Sequence, residues 1–293
     1  MKSTKMFILS GLAAIGSTLA LAATATASNL VRVTIESIAP SGGPVATFFW
    51  LGFHNGGWNT FDPGVQASTG IEHIAEDGFT GIENQLPGFE DFDFSVVPIP
   101  NSETISSLFA GSTDGVQAIL SAVENPLVGF FPGQANSIVV DLGSDPIQNR
   151  FFSYASMYFP SNDGFMADLD PLEIFDSDGN FIGADFIISG GDIWDAGTEV
   201  NDEVPANIPF TLAQINQGVD EGGVILPHPG LLPAGTGGIL PVPPFFDNNT
   251  STTITDDLPI VRIRVERVPE PSTAVSLLAL GGVSLLGRLL LGK

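Results

Sequence analysis

Val31-Arg32-Val33-Thr34-Ile35-Glu36-Ser37-Ile38 alternates apolar with polar side chains, and Val261-Arg262-Ile263-Arg264-Val265-Glu266 does the same near the other end. A period of two places one set of side chains in a core and the other in water, so each stretch reads as a half-buried strand. The pair brackets the intervening chain and points to an antiparallel β-sandwich whose first and last strands lie close together. Further strands are expected over Val45 to Leu51, Ser137 to Leu142, Phe151 to Tyr158 and Phe181 to Ile188. Val116 to Glu124 has helical spacing with Pro126 as a stop, which predicts a short helix, and Ile71 to Ala75 predicts another turn of helix.

Composition agrees with this all-β class. The chain has 293 residues, 43% of them hydrophobic, with 34 glycines and 22 prolines. That is enough apolar material for a large core and enough turn formers for many strands. There is no cysteine, which excludes disulfides, thiolate metal sites and cysteine nucleophiles. Charge is lopsided, with 33 Asp and Glu against nine Lys and Arg and a net charge of -24. A nucleic-acid partner is excluded by this, because nothing is available to neutralise phosphates.

The two ends read as addresses. Lys2 and Lys5 precede an uncharged apolar stretch, and Ala25-Thr26-Ala27 fits an A-x-A cleavage site, so 1–27 is expected to be a secretory signal with cleavage set by Ala25 and Ala27. At the other end Pro269-Glu270-Pro271 is followed by an apolar run from Ala274, then Arg288 and Lys293. The triplet can continue neither a helix nor a central strand, and the run predicts a C-terminal membrane helix with a basic end. The expected organisation is therefore 1–27 signal, 28–268 β-sandwich and 269–293 anchor. Removing both ends leaves Arg32, Arg150, Arg262, Arg264 and Arg267 as the only basic residues. So acidic a surface repels itself unless cations bind, which makes calcium the natural partner.

The candidate site lies in two acidic loops. Ser161-Asn162-Asp163-Gly164 leaves one strand, and Trp194-Asp195-Ala196-Gly197-Thr198-Glu199 follows about thirty residues later. Asp195 and Glu199 bracket a tight turn that can aim both carboxylates at one point. A hard cation takes six to eight oxygens, which two such loops can supply with carbonyls and waters. Asp176-Ser177-Asp178-Gly179-Asn180 starts like an EF-hand loop but has Phe181 at position six and Ile187 at position twelve, so it reads as a hairpin turn. Three histidines, His54, His73 and His228, are scattered, and no H-E-x-x-H or G-x-S-x-G occurs, so no enzyme is expected.

Two resemblances add to this. The tail, with its order of Pro269-Glu270-Pro271, apolar helix and basic end, closely resembles the PEP-CTERM sorting signal of Gram-negative bacteria. That resemblance implies an exosortase-type sorting enzyme as partner, transient anchoring in the inner membrane, and delivery to the cell surface or an extracellular polymer matrix. The chain between the ends is similar to a spondin N-terminal domain. The match runs from Gly52-Phe53-His54-Asn55, Phe61-Asp62-Pro63-Gly64, Ala67-Ser68 and Ala75-Glu76-Asp77-Gly78 to Ser153-Tyr154-Ala155-Ser156-Met157. It continues through Ser161-Asn162-Asp163 and Trp194-Asp195-Ala196-Gly197-Thr198-Glu199 to the strand Val261 to Val265.

The spondin resemblance implies a calcium-binding β-sandwich used in adhesion to matrix and cell surfaces, with Asp163, Asp195 and Glu199 at the positions of the family's three metal-holding aspartates. Glu199 departs from the family's aspartate. The leading expectation is a secreted or surface-displayed calcium-binding adhesion or matrix protein. Its partners would be extracellular polysaccharide or surface proteins. The competing readings are a carbohydrate-binding module, for which Phe48, Phe49, Trp50 and Trp58 would form an aromatic platform although a core cluster is the favoured reading of those four, and a hydrolase acting on the polymer.

Overall fold

The computed structural model describes residues 29–93, 95, 97–126, 128–201, 207, 208, 218–228 and 256–269. The expected signal with Ala25 and Ala27 lies outside these residues. So do Glu270 and Pro271 with the rest of the anchor, Asp202-Glu203, and most of the Gly- and Pro-rich connection from Gly222 to Pro244; Pro269 is described and exposed. Among the described residues, no helix is long and apolar enough to cross a membrane.

Twelve strands and two short α-helices follow one another as β1 (Leu30–Ser37), β2 (Val45–Ala46), β3 (Phe49–His54), α1 (Thr69–Asp77), α2 (Ile105–Ser112), β4 (Val116–Leu120), β5 (Ala135–Asp141), β6 (Phe151–Phe159), β7 (Gly164–Ala167), β8 (Leu172–Glu173), β9 (Ala184–Ser189), β10 (Ile193–Asp195), β11 (Leu226–Pro227) and β12 (Pro259–Arg267). One sheet has the order β5-β1-β12-β9. The other runs β11-β10-β7-β6-β3-β4, with β2 and β8 also paired to β6, and every named pairing is antiparallel.

The bracketing strands are neighbours. Val31 stands opposite Arg267 and Ser37 opposite Val261. Their inward residues Val33, Ile35, Val261 and Ile263 are buried against Phe49, Leu51, Phe53, Phe152 and Tyr154 of the larger sheet. Outward, the register sets Arg32 opposite Glu266 and Glu36 opposite Arg262, so opposite charges face each other across the strands. Arg262 also forks onto Asp185 of β9, at 2.7 and 2.8 Å.

The larger sheet is covered on its second face as well. Trp50, Ile119, Ala155 and Phe165 pack under Ile71, Ile74 and Ala75 of α1 and Ile105 and Phe109 of α2. That makes three layers, and it explains why all six residues of β3 are buried and why β6 reads as one nearly continuous apolar run. It also accounts for two departures from expectation. Val116 to Glu124 is not helical: Val116–Leu120 is β4, paired to β3 with Phe49 opposite Leu120. A strand with apolar residues on both faces loses its period of two and mimics helical spacing. The second helix instead occupies Ile105–Ser112, a serine-rich stretch of weak helix propensity, started by the Thr104 hydroxyl accepting from the Ser107 N–H.

The first helix falls where the pattern places it. Ser68 caps its start, and Gly78 closes it in the left-handed region at φ 65°. The 176–180 segment is a turn, with the Asp176 carboxylate accepting from the N–H groups of Asp178 and Asn180 and Phe175 bridged to Phe181.

The two helices touch at Gly70, where an added Cβ would sit 2.9 Å from the Ile105 Cα. Backbone cannot yield as a flexible side chain does. Gly70→Ala is therefore expected to lower stability by about 1–3 kcal/mol in a denaturant titration. A neutral result would mean that α1 and α2 are not closely docked.

Candidate metal site and the buried acids around it

The turn after β6 places Asp163. The Ser161 hydroxyl donates to the Tyr158 carbonyl at 2.5 Å and accepts from the Gly164 N–H at 2.8 Å, winding the chain tightly into β7. Across the sheet, β10 brings Asp195 opposite Gly164, and the Ala196 N–H donates to the Asp163 carbonyl at 3.0 Å. The two expected aspartates are thus neighbours at one end of the larger sheet.

Asp163 is fully buried. Its Oδ2 accepts from the N–H groups of Thr198 (2.8 Å) and Glu199 (3.0 Å) and from the Thr198 hydroxyl (3.3 Å). Its Oδ1 is buried with no hydrogen-bond partner among the described residues. Asp195 Oδ1 accepts from the Gly197 N–H at 2.8 Å, and Oδ2 from the Asn201 amide at 2.7 Å. Gly197, at φ 66°, makes the sharp turn that lets residues 198 and 199 fold back onto Asp163.

Glu199 is placed differently from its two partners. Its N–H is at Asp163, but its carboxylate lies against Gly218, where any Cβ would overlap it. Residues 198–200 pair with 219–221, through Val200 N–H to the Val219 carbonyl and Glu221 N–H to the Thr198 carbonyl, both 2.8 Å. The structure therefore joins Asp163 and Asp195 and gives Glu199 its main-chain role. Among the described residues, no three His, Asp or Glu side chains form a ready metal-holding group.

Glu76 is the acid that sequence reading did not single out as a site residue. It projects from α1, is 7% exposed, and hydrogen-bonds Thr198, the same residue that donates to Asp163. The signal was present: Glu72 and Glu76 are spaced i, i+4 beside the apolar Ile71 and Ala75, which sets both on a flank of the docking face. A cleft of about 320 Å³ opens here, lined by Gln66, Glu72, Glu76, Thr198 and Asp220.

Burial dominates the electrostatics. It pushes Asp163 up to about 7, with the charge of Asp195 adding to the rise and the donors from Glu199 and Thr198 opposing it. It raises Asp195 too, against the Asn201 and Gly197 donors. Glu76 is pushed up to about 8 by burial, opposed by Thr198 and helped by Glu72, Asp77 and Asp163. No described arginine offsets these charges: Arg32, Arg262, Arg264 and Arg267 belong to the smaller sheet, and Arg150 pairs with Glu173.

A second buried acid organises the neighbouring region. The Tyr154 N–H (2.7 Å) and the Thr60 hydroxyl (3.1 Å) donate to Asp168 Oδ1, and the Ser153 hydroxyl donates to Oδ2 at 2.8 Å. His54 Nε2 lies 3.0 Å from the Ser153 hydroxyl, and its Nδ1 accepts from the Gly56 N–H at 3.1 Å, which assigns the ring proton to Nε2. Burial holds His54 down to about 4, so it is neutral. A serine, a histidine and an aspartate thus meet, but the serine gives its proton to the aspartate and accepts from the histidine. Nucleophilic catalysis needs the reverse polarity and an exposed hydroxyl, whereas Ser153 and His54 are fully buried. The array ties β3, β6 and the 58–60 loop together. Of the four aromatics read first as a core cluster and second as a sugar platform, Phe48, Phe49 and Trp50 are core residues, and Trp58 is half-buried.

No family model matches the chain, and no curated protein matches it.

Two outcomes are expected. Ser153→Ala strips His54 and Asp168 of a partner and should cost about 1–3 kcal/mol in denaturant unfolding; an unchanged midpoint would contradict the network. The second concerns pH. Glu76, Asp163 and Asp168 (raised to about 7 by burial) hold protons more tightly folded than unfolded, where such groups titrate near 4. Stability from this source is complete below the unfolded values and is lost as pH rises through about 7 to 8. The depressed histidines act oppositely, losing stability as pH falls below about 6.5, so the acids stand alone above that pH. In EDTA the melting temperature should therefore fall between about pH 6.5 and 8.5, and Glu76→Gln should flatten the slope. A melting temperature that holds steady or rises over that range would contradict it.

Proposed function

We propose that this chain is a calcium-stabilised module of spondin type, secreted or displayed at the cell surface, where it serves adhesion or matrix attachment. One observation carries the calcium assignment: Asp163 is wholly buried, its Oδ1 has no donor among the described residues, and the carboxylate of Asp195 stands beside it without a described cation. An uncompensated buried carboxylate pair is costly, and protonation or a cation relieves it. An all-oxygen donor set suits calcium, which also takes carbonyls and waters.

Asp163 and Asp195 are the residues that would hold the ion. Glu199 would join them only if its carboxylate leaves Gly218. When bound, the ion supplies positive charge that neutralises the pair. The chain's own part is to position it: the Thr198 and Glu199 N–H groups fix Asp163, while Gly197 and Asn201 fix Asp195. An ion held there would bind the 161–164 and 195–201 loops to each other and set the shape of that end of the sandwich.

The rest of the reading is supported by sequence features. The segment ending at Ala25 and Ala27 supports export, and Pro269-Glu270-Pro271 with its apolar tail supports sorting by an exosortase-type enzyme. A strongly acidic β-sandwich with an expected C-terminal anchor supports a binding role toward surface proteins or extracellular polysaccharide.

Thermal unfolding of the purified full chain tests the calcium assignment. At a hundredfold excess over Kd, calcium should stabilise by about 2.7 kcal/mol relative to EDTA. Asp195→Asn should abolish that rise and, by removing like charge beside Asp163, make the EDTA form more stable than wild type at pH 8, by about 1 kcal/mol. No rise at millimolar calcium would overturn the assignment.

A further inference from the structure

We propose that the cleft beside Trp58 binds a pyranose ring of a neutral glycan. This cleft of about 250 Å³ lies next to the acidic one, shares Gln66 with it, and is also lined by Trp58, Asn59, Asp62 and Ser68. The inference rests on different residues from those assigned to calcium.

Trp58 is built to stay in place. Its Nε1–H donates to the Thr60 hydroxyl at 3.1 Å, and that hydroxyl donates to buried Asp168 at 3.1 Å. Its ring packs on Trp50 and Phe109, with centroids 5.8 and 5.4 Å away. A half-buried indole fixed by a buried carboxylate costs little to order when a ligand arrives. Phe61 also lines this cleft but is only 5% exposed, whereas Trp58 is half-buried, so Trp58 is the ring a ligand can reach.

The lining selects the ligand's chemistry. Asn59, Asp62 and Gln66 are exposed polar side chains at the rim, and Glu72 and Asp220 follow in the adjoining cleft. Among the described residues, no arginine lines either cleft. An anionic ligand would meet like charge with nothing to offset it. A wholly apolar ligand would strip water from Asn59 and Asp62 without replacing their hydrogen bonds. A sugar ring meets both demands: its C–H face lies on an indole, and its hydroxyls donate to carboxylate and amide oxygens. A polycation is the other chemistry that acidic rims attract, and an indole can hold a cation on its face, so polylysine is carried as the competing outcome of the test.

The test is affinity electrophoresis of the full chain through gels containing dextran, galactomannan or mixed-linkage β-glucan, with a polylysine-containing gel beside them. The gels are run in EDTA, so the result does not depend on calcium. Retardation is expected in at least one neutral polysaccharide, weakened at least tenfold in Trp58→Ala. Trp58 also packs on core residues, so Gln66→Ala, an exposed change that leaves packing intact, is run in parallel and should weaken retardation severalfold. Passage through all three glycan gels without retardation would overturn the proposal. So would retardation equal to wild type in both variants, or retention by polylysine alone.

Discussion

The carboxylate of Asp163 is the constraint on which this end of the molecule depends. One oxygen gathers the N–H groups of Thr198 and Glu199 and so folds the loop after β10 back onto the turn after β6. The other oxygen, equally buried, has no partner among the described residues. A group that organises two loops while keeping one face unsatisfied is stable only if a proton or a cation completes it. Glu76 reaches the same Thr198 from the helical layer, so the acid from α1 and the acids from the sheet act on one small volume. The proposed ion would turn that repulsion into a clamp.

The three-layer architecture makes such burial possible. A sheet with one wet face could not hide Asp163, Asp168 or His54. Here α1 and α2 close over the second face with Trp50, Phe109 and Phe165, and acids on the β6–β7 side fall into the interior. The polar network around Asp168 then does for the 58–60 loop what Asp163 does for the 195–201 loop: a single carboxylate, supplied with several donors, fixes irregular backbone against regular sheet.

The amount of this that could be read from sequence follows from the same layering. β1 and β12 have one dry and one charged face, so their alternation announced both strands, and their cross-strand charges follow from the register. β4 has two dry faces, so its pattern resembled a helix, and α2 lacked the apolar stripe that would have revealed it. At the site, the 195–199 turn pointed to Asp195 and Glu199 and the spondin resemblance added Asp163; the structure sets Asp163 and Asp195 side by side. The turn's sequence could not show that the Glu199 carboxylate turns to Gly218, because that depends on pairing with 219–221, far along the chain. For Glu76 the i, i+4 pattern with Glu72 marks the flank of a docking face, but that it meets Thr198 comes from docking of the helix onto the sheet, which the local pattern does not encode. The likeness of His54, Ser153 and Asp168 to a catalytic set dissolves only when the direction of each hydrogen bond is known.

Charge is partitioned in the described fold. Three arginines on the outer face of the smaller sheet, Arg32, Arg262 and Arg264, stand by Glu36, Asp185 and Glu266, and the helix-covered end of the larger sheet keeps its buried acids Asp163, Asp195 and Glu76 without described arginine partners. That asymmetry makes direct ion binding the most telling measurement. Equilibrium dialysis of the full chain against calcium at pH 7.5 is expected to show one saturable site with a Kd of about 10⁻⁴ to 10⁻³ M, as extracellular modules have, and Asp163→Asn should abolish it. Absence of a saturable site, or a site that survives Asp163→Asn unchanged, would contradict the account.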